Sequence, residues 1–198
     1  MTEPADNTLL QKTVRTVAAL NLSYFGVEFA VALAIGSVAL FADSVDFLED
    51  ASINLLIFFG LGWSALRRAR LGMILAGILL IPGVATLWTA WSNFSNAHVP
   101  AAIPLTLTGL GALAVNITCA AMLARFRDHG GSLTRAAFLS ARNDVLANIA
   151  IVIAGGLTAV TASQWPDLIT GLGIAALNAD AAHEVFEAAR AEHAAAKP

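Results

Sequence analysis

Charge is what this sequence has least of. Asp, Glu, Lys and Arg make up 13% of its 198 residues, against about 25% in soluble globular domains, and the mean hydropathy of +0.72 argues against water as its main solvent. Cysteine is nearly absent too. The single Cys119 lies in an apolar run, which excludes an intrachain disulfide or a cysteine-built metal cluster and reads as a buried, inert thiol. No long basic block exists and the net charge is only −3, so nucleic acid is not an expected partner. The opening M-T-E-P-A-D-N-T-L-L-Q-K lacks the basic, apolar and small-residue order of a cleavable signal peptide. No His-Glu-x-x-His, nucleophile motif or ligand-spaced histidine cluster is found, which removes the usual signatures of a membrane enzyme.

What the chain does have is long apolar runs. A bilayer core about 30 Å thick needs roughly 20 mostly apolar residues per helix. Six stretches qualify, near 13 to 35, 38 to 63, 71 to 93, 101 to 124, 133 to 161 and 166 to 188. The expected architecture is an all-α membrane protein of six transmembrane helices. Residues 1–12 form an N-terminal segment, 13–188 the membrane domain and 189–198 a short tail. Lys12 and Arg15 stand at the head of span one, Arg67, Arg68 and Arg70 between spans two and three, and Arg125, Arg127 and Arg135 between four and five. Arg190 and Lys197 follow span six, and the alternate loops hold no Lys or Arg. That asymmetry predicts that both termini are cytoplasmic.

Two of these spans carry acids where lipid should forbid them. Asp43, Asp46, Asp50 and Asn54 are spaced by three, four and four and so share one helix face, with Glu49 at its border. Span five answers with Ser140, Asp144 and Asn148 at intervals of four, and Asn143 alongside. The spans run in opposite directions. Asp46 and Asp50 lie about 12 to 18 Å in from one side, and Ser140 and Asp144 about 10 to 17 Å in from the other. The two stripes therefore meet near the midplane.

An ionised Asp at that depth opposes insertion by roughly 2.5 to 3.5 kcal/mol, while a Leu, Ile or Phe contributes only about 0.3 to 0.6. Protonation, an internal arginine, water or a bound cation could each compensate. A divalent cation is the partner that most naturally draws several oxygens to one point. Arg142 is two residues from Asp144 and points to a different face, so it is expected to reach toward the interface instead. Asn21 and Glu28 share a face of span one and either line the same pathway or make an interhelical hydrogen bond. Asn116 reads as a packing contact.

The runs G-S-V-A-L-F-A-D-S-V-D-F-L-E-D-A, A-A-F-L-S-A-R-N-D-V-L-A-N and W-P-D-L-I-T-G-L-G-I together resemble the cation diffusion facilitator family of metal transporters over essentially the whole chain. The resemblance implies efflux of a divalent metal, most often zinc, coupled to inward proton movement. No prosthetic group is implied. It also implies a midmembrane site on which Asp46, Asp50 and Asp144 stand as ligands, with Ser140 where the family commonly has His. An all-oxygen site completed by Ser140 or Asn143 would shift preference toward harder ions such as manganese or iron(II). Cobalt and cadmium are further candidates. Asp43, Glu49, Asn54, Asn148, Asn21 and Glu28 are pathway or accessory candidates. The chain reads as a short form without the C-terminal cytoplasmic domain. It would then dimerise through its membrane helices, with the bilayer of a bacterial inner (plasma) membrane as its surroundings. A proton-coupled exporter of an organic cation is the alternative, and a metal-dependent membrane enzyme a weaker one.

Overall fold

The computed structural model describes residues 4–60, 70, 84, 86–95, 98–126, 131–177, 183 and 190, and every regular element among them is helical. We number these α1 (Pro4–Ile35), α2 (Val38–Gly60), α3 (86–95), α4 (Ala102–Ala124), α5 (Gly131–Thr161) and α6 (Trp165–Leu177). Most ends fall close to the punctuation in the sequence. The exception is α1, which starts at Pro4 rather than near residue 13. Leu10 and Val14 are buried against α2, α4 and α5, and that packing carries the helix through its polar head. Most of span three, the distal half of span six, Arg67, Arg68, Arg127 and Lys197 lie outside the described residues.

Among the described residues, three helices are long and apolar enough to cross a bilayer: Thr8–Ile35, Ala102–Ala124 and Ser140–Thr161, with mean hydropathies of 1.6, 1.8 and 1.8. Helix α2 has the length, 23 residues, but four carboxylates reduce its apolar character. It is sheltered instead. Residues 37–47 are buried without a break, so the first half of α2 is enclosed on all sides by its neighbours. The outer faces of α1, α4 and α5 carry exposed Val27, Ile103, Ile153 and Val160, the side chains a lipid-facing surface tolerates.

Helices α1, α2, α4 and α5 form a bundle with two apolar layers. One holds Leu10, Val14, Val17, Ile57, Cys119, Leu123, Phe126, Ala137 and Ala141. The other holds Ala32, Leu40, Phe41, Leu105, Ile151 and Ile174, with small alanines between them. In chain position the acidic stripes fall between these layers. The polar slab thus lies between two layers of hydrocarbon.

The second layer is held together by a knot around the α1–α2 turn. Gly36 turns the chain with φ of +63°, a left-handed conformation that glycine adopts without strain. Ser37 caps α2, its Oγ accepting from the Leu40 N–H at 3.1 Å. Asp167 of α6 accepts from the N–H groups of Val38 at 2.8 Å and Ala39 at 3.3 Å and from Ser37 Oγ at 2.5 Å. Its carboxylate thereby satisfies donors that every helix start leaves open. Asn93 Nδ2 donates to the Gly36 carbonyl at 2.6 Å, and His98 Nε2 to the Ile35 carbonyl at 2.8 Å. A Cβ at Gly171 would come within 2.5 Å of the Val38 backbone, so only glycine lets α6 approach this turn. Gly155 is likewise closed in by Thr106 of α4, whereas a Cβ at Gly173 would meet nothing within 4 Å. Among the described residues, then, Gly171 and Gly155 serve close helix packing and Gly173 does not.

Candidate functional site

The slab is organised around Asp50, which is 1% exposed. Its Oδ1 accepts from Ser140 Oγ of α5 at 2.9 Å, and its Oδ2 from Asn21 Nδ2 of α1 at 3.4 Å. Its carboxyl also lies close to that of Asp144. Two carboxyl groups side by side in a buried site are accommodated by a proton or a cation between them. Helices α1, α2 and α5 thus converge on one acid, as the antiparallel stripes predict. The Asn21 contact is long enough to be weak, and Asn21 is steadied from behind by Cys119, whose Sγ donates to its Oδ1 at 3.4 Å.

Asp46 lies one turn nearer the start of α2, is 8% exposed, and has Asp144 as its strongest charged neighbour. Asp144 is half-buried. Glu49 is buried beside Asp50. Asn54 turns back on its own helix, donating to the Asp50 carbonyl at 2.8 Å. Asn143 does not join the group. It is exposed and accepts a bond from Arg142 at 3.3 Å, because a residue next to Asp144 points about 100° away around the helix. Arg142 is exposed as well, so no arginine neutralises the acids from within this part of α5.

A second group lies toward the start of α2. Asp43 is fully buried and accepts from Asn148 Nδ2 at 2.8 Å on Oδ1 and 2.7 Å on Oδ2. Asn148 is fixed in turn by Asn116 Nδ2 of α4, at 3.2 Å from its Oδ1. Glu28 of α1 faces Asp43. Asn116 therefore belongs to the polar network. A polar side chain in the middle of an otherwise apolar span is itself the signal for such a role. Tyr24 and Cys119 border the polar layer, and Asp167 holds the separate knot at the α1–α2 turn; sequence reasoning assigned none of the three a role there. Tyr24 reaches across to donate to the Thr108 carbonyl at 2.6 Å.

Among the described residues, no three carboxyl, imidazole or thiol groups converge tightly enough to hold a metal ion as they stand. The acids meet in twos. Drawing Asp46 in beside Asp50 and Asp144 needs side-chain rotation, and like-charge repulsion opposes that rotation until a cation or proton is present.

The arrangement defines an all-helical integral membrane protein with an acidic layer inside its bundle. The sequence model of the cation efflux transmembrane domain matches residues 14–191, and the chain belongs to the cation efflux family. At that level it is a transporter of divalent cations rather than an enzyme. No curated protein matches it.

Proposed function

We propose that the chain is a divalent metal/proton antiporter that carries its ion on Asp46, Asp50 and Asp144, with the Ser140 hydroxyl at the fourth position. The observation that carries this reading is the convergence on Asp50. Ser140 and Asp144 reach it from α5 and Asn21 from α1, so one group links three helices. Metal and proton compete for the same carboxylate lone pairs. A proton between Asp50 and Asp144 must leave before an ion can sit there, and it returns when the ion departs. With a site that opens to one side at a time, that exchange is sufficient for antiport.

The donor set is all oxygen. Zinc, the family's usual cargo, tolerates carboxylates, but a hydroxyl in place of imidazole moves relative preference toward manganese and iron(II). The proposed orientation has both termini in the cytoplasm of a bacterial inner membrane, with efflux as the direction of transport. Reconstitution into sealed vesicles tests the reading. Wild type is expected to move zinc or manganese in response to an opposing pH gradient, and D50A to move neither. Undiminished flux in D50A would remove the site.

A further inference from the structure

Glu28 has no part in the ion site proposed above, yet it is buried under harsher conditions than any ligand there. It is 0% exposed, and among the described residues neither carboxyl oxygen has a hydrogen-bond partner. An isolated carboxylate in such a place is costly enough that the neutral acid is the form expected. Its strongest charged neighbour among the described residues is the Asp43 carboxyl, and two carboxyl groups buried side by side are stable only with a proton on one of them.

The partners decide which acid carries that proton. Both oxygens of Asp43 already accept from the Asn148 amide nitrogen. The Asn148 oxygen accepts from Asn116, and its NH₂ faces Asp43. Asp43 is therefore the anion and Glu28 the neutral acid. The ionisable groups around the pair are Tyr24 on α1, Asp46 and Asp50 on α2, and Asp144 on α5. Helix α4 presents the amide of Asn116 and contains no charged residue. Among the described residues every charge that faces Glu28 is negative or potentially so, and nothing cationic favours its ionisation. A divalent ion arriving among Asp46, Asp50 and Asp144 reverses that balance through space.

We propose that the Glu28–Asp43 pair is a dedicated proton site, separate from the metal ligands, which discharges when a divalent ion occupies the neighbouring layer and recharges when the ion leaves. This rests on the antiport reading above. On discharge the Glu28 O–H bond breaks, the electron pair stays on the carboxylate, and the proton passes to water in the pathway. Full burial suits the pair to a proton rather than a metal, since a hydrated ion would have to displace the Asn148 donors.

Calorimetry of Zn²⁺ binding to the purified full chain, in buffers of different ionisation enthalpy, counts the protons released. E28Q is expected to bind Zn²⁺ within about threefold of wild type while releasing about one proton fewer per ion. Infrared difference spectra should lose the corresponding protonated-carboxyl band, and E28D should restore both. If E28Q does not fold, D43N gives the same readout, because an amide facing Glu28 leaves its proton in place. An unchanged proton count, or a carboxyl band that Zn²⁺ does not discharge in wild type, overturns the proposal. D50N separates the two ideas. Retained Zn²⁺ binding in that variant counts against the ligand assignment, whereas the proton count in E28Q bears on Glu28 alone.

Discussion

The bundle buries two pairs of acids, and they are built to opposite specifications. Asp50 and Asp144 meet in a region where Asp46 keeps some exposure and Asp144 is only half-buried, and each oxygen of Asp50 takes a single donor, one of them at a long 3.4 Å. Glu28 and Asp43 are closed off completely, with one oxygen pair held firmly by Asn148 and the other receiving nothing from the described residues. On the proposed mechanism the first pair is rearranged by an incoming ion, and the second exchanges only a proton. Similar side chains thus acquire different chemistry from the number of donors around them and from their access to water.

The largest effect that would break this contrast lies in the Asp50 pair. D50A and D144A are each expected to lower metal affinity by about 100-fold or more, beyond the 10- to 100-fold typical of losing a group that merely supports a ligand, as measured by direct titration. Acidity should act in the same direction. As pH falls, protons return to the Asp50–Asp144 pair and the apparent Kd rises, and in D144N that dependence should flatten. Next in size, S140H supplies an imidazole on the Asp50 side and should shift competition between zinc and manganese about tenfold toward zinc. An unchanged ratio would mean that residue 140 does not reach the ion.

Smaller effects sharpen the other side of the contrast. N148A removes both donors from a buried carboxylate and is expected to cost about 1 to 2 kcal/mol of stability, read as a lower Tm in detergent with little change in metal affinity. D167N, at the outer knot, removes the charge that caps α2 and should cost about 0.5 to 1 kcal/mol. N143A should change neither affinity nor stability, and a clear loss of binding there would mean that α5 turns during transport.

Much of this was legible from spacing. Intervals of three and four place Asp43, Asp46, Asp50 and Asn54 on one face of α2 and Ser140, Asp144 and Asn148 on one face of α5, and opposite spans bring the faces to one depth. Spacing could not discriminate among residues at the margin of a stripe. Asn143 was a plausible ligand by proximity in sequence, yet the turn of the helix carries it outward to Arg142. Asn116 read as packing because nothing in its own span shows that Asn148 is across from it. Asp167 carried no assigned role, because its partners Ser37 and Val38 lie far away in the chain.

Hydropathy and periodicity alone settled that this chain is helical, that it belongs in lipid, and that its acids must face inward, because a carboxylate on a lipid-facing surface has no means of compensation. The division of those acids into two pairs was decided by tertiary structure. Helix crossings, Gly171 against Val38 among them, set which amide or hydroxyl reaches which oxygen. A hydrogen bond depends on tenths of an ångström that no residue spacing encodes.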